Sequence, residues 1–371
     1  MTGASRARND KQPKHMFCDF AVSEPKVAEK CNLMVIKGVP RPRASEVVRQ
    51  DGLVGSLIIG ADVGGTSTRV GIATIEGEVL GLASGPAGNP NSVGLQTSAA
   101  RIRAAVERCL ATPGIDQDRI ASVVIGLAGG SRGDGAFLAS LVPPEVAMSP
   151  RLVSDLAVAF SSATADREGY VLVAGTGAVA GRIVDGELRE RRDGWGWLLG
   201  DEGSGFWLGR EAVRATLRQL QTDPARLGSL AMSVIEAAGT GPVPVAIIER
   251  CYTEPPIWLA GLGSLVSRHV DDPVAAEIAE RAAGHLIATL LDLDLDPTLP
   301  VVLAGSVATR PGPVRSTLTS RLAGSLRRPP LTAEDGVVGA LWLAARQSGV
   351  EDPAVHARLA QTTRRTSVEV V

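Results

Sequence analysis

Lysine is missing from most of this chain. All five lysines (Lys11, Lys14, Lys26, Lys30 and Lys37) fall in the first 37 residues, and every strongly basic residue from Leu57 onward is arginine. A phosphate loop of the G-x-x-x-x-G-K-[ST] type, which needs its lysine on the terminal phosphates, is therefore excluded. Aromatic residues are scarce, twelve in 371, which argues against a binding module with an aromatic groove. The four cysteines (Cys18, Cys31, Cys109 and Cys251) are widely spaced and form no C-x-x-C. Neither a disulfide scaffold nor a structural zinc site is expected, and a reducing cytoplasm fits. No apolar run approaches the ~20 residues of a membrane helix. Residues 1–10 are polar and lack the apolar stretch of a secretory signal. A net charge of -2 removes the electrostatic drive toward nucleic acid or an acidic membrane.

Glycine, by contrast, is abundant at 42 residues, in a chain 44% hydrophobic and 21% charged. These are globular proportions, and the glycine excess points to a turn-rich α/β enzyme. Charge divides the chain near residue 56. Residues 1–56 hold ten basic and six acidic residues, and the remainder 28 basic and 34 acidic. The extension, with Pro13, Pro25, Pro40, Pro42 and little periodicity, reads as poorly ordered. Residues 351–371 read as a short helix fraying into a tail.

Between these ends, hydrophobic spacing predicts two similar halves. Three antiparallel strands joined by tight turns begin at Leu57. A helix follows over 97–110, then strands over 120–127 and 151–153 and a helix over 156–165. The second half opens with strands over 170–174 and 179–184 and a hairpin. Helices follow over 206–220, 230–238, 243–251, 256–268 and 273–293, then a strand from Val301 and a last helix over 336–347. The order hairpin, hairpin, helix, strand, helix occurs twice without a sequence repeat, so the duplication is structural.

Five constellations carry chemistry. Asp62, Gly64, Gly65, Thr66, Ser67, Thr68 and Arg69 lie between two strands. Consecutive glycines can aim backbone N–H groups at an anion, the hydroxyls and Arg69 add donors and charge, and Asp62 can hold Mg²⁺ through water. The plain alternative is an ordinary glycine hairpin. Gly175, Thr176 and Gly177 repeat that strand–turn–strand arrangement, and two such turns facing each other would grip a polyphosphate. Asp155 ends a strand and opens a helix, where it serves either as a cap or as the general base that phosphoryl transfer to an alcohol needs. Residues 194–207 gather Trp195, Trp197, Phe206 and Trp207 with five glycines and the acids Asp201 and Glu202. Indole faces beside carboxylates suit a sugar. Gly305 and Ser306 end a buried strand where a flat base could lie against backbone. Asp292, Asp294 and Asp296 read as a helix end and linker. The four histidines stand at no ligand spacing.

The order of these motifs resembles the N-acetylglucosamine kinases of the BadF/BadG-type ATPase family, within the acetate and sugar kinase/Hsp70/actin superfamily. The resemblance spans residues 57–347, and Gly194-Trp-Gly followed by Gly200-Asp-Glu-Gly-Ser is its most specific piece. It implies an α/β, actin-like (ribonuclease H-like) two-domain fold with ATP and Mg²⁺ in the cleft. It implies a division into a 1–56 extension, domains over 57–165 and 166–350, and a 351–371 tail. Asp155 would take the proton from the sugar 6-hydroxyl. Asn89, Gly129, Gly130, Thr176, Trp195, Gly196 and Asp201 would hold the sugar. The first phosphate motif is Asp62 to Arg69, the second Gly175 to Gly177, and the adenosine motif contains Gly305 and Ser306. A cytoplasmic homodimer is implied as well. Two positions depart from the pattern of the eukaryotic enzymes: Ala178 and Val179 replace a Ser-Asn pair, and Ala128 replaces a serine. Both remove sugar contacts, which leaves glucosamine or a related hexose open. A non-catalytic sensor and an activator ATPase are the other readings of the same fold.

Overall fold

The computed structural model describes residues 55–128 and 135–369. The expectation for the extension, apart from Gly55 and Ser56, and the pair Gly129 and Gly130 lie outside the described residues. Strand β1 (Leu57–Val63) is apolar almost throughout and buried on both faces, as a central strand must be. It pairs antiparallel with β2 (Ser67–Thr74), and β2 pairs antiparallel with β3 (Val79–Pro86). After α1 (Pro90–Val93), helix α2 (Leu95–Leu110) buries Ser98, Ile102, Ala105 and Cys109, one amphipathic face with the spacing of an α-helix. β4 (Ile120–Leu127) returns parallel to β1. α3 (Gly135–Ser140) leads to β5 (Arg151–Ser154), parallel to β4, and α4 (Asp155–Ala163) follows directly.

The second half repeats the plan. β6 (Glu168–Ala174), β7 (Ala178–Val184) and β8 (Glu187–Asp193) form an antiparallel meander. Five helices follow: α5 (Gly205–Thr222), α6 (Ser229–Ala238), α7 (Pro244–Thr253), α8 (Trp258–Arg268) and α9 (Pro273–Leu291). β9 (Val301–Ala304) returns parallel to β6. Then come α10 (Ser306–Thr309), α11 (Pro313–Ala323) and β10 (Leu331–Thr332), which pairs parallel with β9. The chain closes with α12 (Gly336–Gln347) and α13 (Pro353–Glu369). The sheet orders are β3-β2-β1-β4-β5 and β8-β7-β6-β9-β10, so the duplication expected from the element order is one of topology. The expected α/β arrangement is observed.

Three hydrophobic cores stack through the structure. α2 and α3 cover the outer face of the first sheet, with Ile102, Val106 and Phe137 among the buried side chains. α5 to α9 and α11 cover the outer face of the second. Between the sheets, α4, α12 and α13 are buried with Ile58 and Val124 from the first sheet and Val171 and Val302 from the second. The helices of this middle layer are exchanged. α12 follows the second sheet, in the half read as residues 166–350, yet packs chiefly on β1, β4 and α4. α4 follows the first sheet and packs on β6 as well as β4 and β5. Gly339 permits this crossing: a methyl group there would overlap the carbonyl oxygen of Val158.

The end of the chain differs from the expected short, fraying helix. α13 has 17 residues and buries Val355, Leu359, Ala360 and Thr363. Val79 N–H donates to Thr362 Oγ1 at 3.2 Å, and the Thr362 hydroxyl lies 3.1 Å from Gly77 O. Arg364 pairs with Glu334. α1, α3, α10, α11 and β10 were not resolved from spacing because each is short or weakly periodic.

Candidate active site

In both sheets the parallel strands end at the same edge, the usual place for a ligand in α/β folds. In the first sheet, Asp62 lies opposite Gly126, and Leu127 lies opposite Ser154. This register brings Asp62, Asp155 and Ala128, the residue after β4, to one edge. In the second, β6 runs into Gly175, β9 into Gly305 and β10 into Ala333 and Glu334. Three cavities follow this line.

The first cavity, about 350 Å³, is lined by Gly175, Thr176, Ser264, Arg268, Ser306 and Arg315 among others. It therefore joins the Gly175–Gly177 turn to the end of β9. Gly305 makes the junction possible: its φ is +81°, and a side chain there would overlap Ala174 O. The second cavity, about 450 Å³, holds Asp62, Asp155, Gly305, Ser306, Glu334 and Gly336. Ser306 and Arg310 line both. The third, about 170 Å³, is lined by Ser154, Asp155, Leu156, Val179, Leu188, Arg191 and Gly194. Asp155 lines both the second and the third.

Ser154 caps α4 by accepting from Leu156 N–H at 3.2 Å, which frees Asp155 to begin the helix. Asp155 Oδ1 accepts from Leu156 N–H at 3.0 Å and from the Ser154 hydroxyl at 3.3 Å. Burial pushes its pKa up, and these donors and the Arg191 charge oppose the rise. Asp62 is pushed up to about 6 by burial, with Asp155 and Asp335 adding to the rise and Arg69 opposing it. These carboxylates thus have two cationic neighbours, Arg69 and Arg191, and among the described residues no group of three acidic, histidine or cysteine side chains is placed to hold a metal ion. Arg69 is occupied by Asp335 at 2.8 Å. Its charge serves the carboxylate cluster, where the sequence had suggested a phosphate ligand.

The first phosphate turn is tight, with Gly64 N–H donating to Ser67 O at 2.9 Å. Gly65 and Thr66 are exposed at its tip, and Ser67 is half-buried. Thr68 requires a correction. It is fully buried, and its hydroxyl donates to Pro86 O at 3.0 Å, so it is turned away from any phosphate. Strand alternation places it on the core face with Val70 and Ile72. Asn89 comes to the same turn: its N–H donates to Gly64 O at 3.2 Å, and its Oδ1 caps α1 through Asn91 N–H at 2.9 Å.

At the second turn Gly175 N–H donates to Gly177 O at 2.9 Å, while Gly175 O and Thr176 O accept from Gly205 and Phe206 N–H at 2.8 and 3.1 Å. The start of α5 is thereby bound to the turn. Asp201 closes it from the other side. Its carboxylate accepts from the N–H groups of Ala178 and Gly196, and a Cβ at Gly177 would fall 2.7 Å from its Oδ2. Burial raises the Asp201 pKa. Trp195 is 67% exposed beside it, and Gly196 is half-buried.

Sequence reading missed three residues here. Asp193, buried with φ +57°, accepts from Asp201 and Glu202 N–H at 2.9 and 3.0 Å and from Trp195 N–H at 3.4 Å. It shapes the whole tryptophan loop. Arg310 lies where the first two cavities meet, and Arg191 reaches the third. No motif marked any of them.

Residues 59–225 match the model of the BadF/BadG/BcrA/BcrD ATPase family. The matched segment is similar to a BadF/BadG/BcrA/BcrD ATPase family domain. It contains both phosphate turns, Asp155 and the tryptophan loop. Over 165 residues the chain is 30% identical to an N-acetylmuramic acid/N-acetylglucosamine kinase of Clostridium acetobutylicum, covering 43% of this chain and 53% of that protein. Over 173 residues it is 29% identical to an N-acetyl-D-glucosamine kinase of Dictyostelium discoideum, covering 44% and 54%. The chain thus spans about half the length of the curated relatives it matches. A solved structure provisionally named N-acetylglucosamine kinase, from Chromobacterium violaceum, superposes with a TM-score of 0.61 at 25% identity, covering 78% of this chain and 99% of that one.

Proposed function

We propose that this BadF/BadG-type protein is an ATP-dependent sugar kinase that converts N-acetyl-D-glucosamine to its 6-phosphate, with Asp155 as general base. The observation that carries the reading is the place of Asp155, on the wall between the 450 Å³ and the 170 Å³ cavities. A base in that position can face an acceptor hydroxyl on one side and a phosphoryl group on the other. The named relatives support the sugar kinase class.

In this reading the adenosine lies in the 350 Å³ cavity against Gly305 and Ser306. The phosphates pass Thr176 and Arg310 toward the Gly64–Ser67 turn. The sugar sits in the third cavity, against Ser154, Asp155, Val179 and Gly194, and Asn89, Trp195, Gly196 and Asp201 would supply its further contacts. Asp155 takes the proton of the 6-hydroxyl while that oxygen bonds to the γ-phosphorus. The bond from the γ-phosphorus to the β–γ bridging oxygen breaks, and ADP departs. Asp62 would hold Mg²⁺, which neutralises charge developing on the phosphates. A homodimer in the cytoplasm belongs to the same proposal.

The test is ADP release with ATP and Mg²⁺ against N-acetylglucosamine, glucosamine, N-acetylmannosamine, N-acetylgalactosamine and glucose. Selective turnover of N-acetylglucosamine is expected. Asp155→Asn is expected to lose at least about a hundredfold in kcat while still binding the sugar, in line with general-base catalysis. Silence with every sugar would remove the kinase reading, and normal turnover of Asp155→Asn would remove Asp155 from the mechanism.

A further inference from the structure

Phosphoryl transfer builds negative charge on the oxygens of the moving group, and a fixed cation at that point contributes strongly to rate. No lysine lies among the described residues, the last being Lys37, so among them that cation is an arginine. Position separates the candidates. Arg69 is held by Asp335 at 2.8 Å. Arg191 lines the third cavity, on the acceptor side of Asp155. Arg268, Arg310 and Arg315 line the first cavity, and of these only Arg310 also lines the second, where it is the one basic residue beside Asp62, Asp155 and Glu334. The local sequence fixes its backbone. After β9 the chain makes the single turn α10, and Arg310 closes it, its N–H donating to Ser306 O at 3.1 Å. Pro311 follows and confines Arg310 to an extended backbone, with φ −71° and ψ 145°. Arg315 Nη1 donates to Thr309 O at 2.7 Å and braces the turn from α11. The Arg310 side chain is exposed and forms no ion pair within 4 Å among the described residues. A guanidinium on a fixed stalk thus stands where the first two cavities meet.

We infer that Arg310 is a catalytic residue whose guanidinium contacts the phosphoryl group during its transfer. The inference rests on the kinase reading and deepens it. The bond from the γ-phosphorus to the bridging oxygen breaks as the bond to the sugar oxygen forms, and the sugar proton goes to Asp155. Arg310 gives up no proton. Its N–H groups meet the bridging and equatorial oxygens, whose charge rises in the transition state, through the paired geometry that suits arginine. The second cavity makes such a cation necessary: Asp62, Asp155 and Glu334 repel arriving phosphates, and Arg310 alone on that wall opposes them. Because the contact strengthens as charge develops, its loss falls on kcat. Arg268 and Arg315, which line the first cavity and not the second, act on nucleotide binding instead.

The test is steady-state ADP release by the full chain with ATP, Mg²⁺ and the fastest of the five sugars named above. Arg310→Gln is expected to lose at least about a hundredfold in kcat while the ATP KM stays within about threefold. Arg310→Lys keeps the charge without the paired N–H geometry, and its kcat is expected about tenfold below wild type. Arg268→Gln is expected to shift the ATP KM more than kcat. Thermal melts check that each variant folds, and should Arg310→Gln fail to fold, the lysine variant decides, a wild-type kcat there counting against the inference. The inference falls if Arg310→Gln keeps its kcat and raises only the ATP KM, for then the arginine binds nucleotide and no more. It also falls if Arg268→Gln loses kcat to the same extent, for then general positive charge is what matters. No turnover by the wild type with any of the five sugars would overturn the kinase reading itself.

Discussion

Replacing Asp62 with asparagine should make the protein more stable and less active. The folded structure pushes the Asp62 pKa up to about 6 from 3.8. A carboxyl group with a raised folded pKa keeps a proton that the unfolded chain releases. Its ionisation therefore opposes folding, and the opposition grows as pH rises from about 4 and is complete above about 6. At about 1.4 kcal/mol for each tenfold change in proton affinity, the full cost is about 3 kcal/mol. Asparagine nearly preserves the shape and carries no such charge. At pH 8, without divalent cation, Asp62→Asn should melt roughly 5 °C higher than the wild type, taking the usual unfolding entropy of about 2 cal/mol/K per residue. At pH 4.5 the difference should shrink to about a third of that. Added Mg²⁺ and ATP should stabilise the wild type more than the variant, because Asp62 is the proposed metal residue. Thermal melts across pH 4.5–8, with and without Mg²⁺ and ATP, provide the measurement. A variant less stable than wild type at pH 8, or a difference independent of pH, would refute the electrostatic account of the cluster.

Two further outcomes follow from the geometry. Asp193→Ala removes the acceptor for three backbone N–H groups, at a cost of about 1–3 kcal/mol in stability. The same variant should raise the sugar KM more than the ATP KM, and an equal rise in both would mean that the tryptophan loop is not the sugar side. Gly339→Ala puts a methyl group onto Val158 O and should destabilise by about 1–3 kcal/mol through overpacking. An unchanged denaturation midpoint would show that the crossing can open without strain.

The strands and long helices were legible because their apolar residues recur regularly. α12 was bounded to the residue, since Asp335 caps its start and apolar residues fill it. α13 was underestimated because its buried face includes Thr363, a polar residue whose hydroxyl donates to Leu359 O at 2.7 Å. The two glycine turns and the strand-to-helix junction at Asp155 were legible as motifs. Thr68 was misassigned although the signal was present: the period of two through Val70 and Ile72 already turned it inward. Asp193 carried no such signal. Its role depends on a left-handed backbone and on partners two, eight and nine residues ahead. Arg191 and Arg310 were hidden for another reason. Arginine is the only strongly basic residue type after residue 56, so nothing local separates an arginine on a cavity wall from one paired on the surface.

The exchange of α4 and α12 bears on how the cleft can close. Each half lends its last helix to the other, so a chain cut between α4 and β6 would yield two fragments, each carrying the missing wall of its counterpart. Such fragments should depend on one another to fold, as two halves of a reciprocal graft. In the intact protein, backbone lies against backbone where Gly339 meets Val158. Since Asp155 heads one of these helices and Asp335 caps the other, any shift at that contact would change the spacing of these two carboxylates.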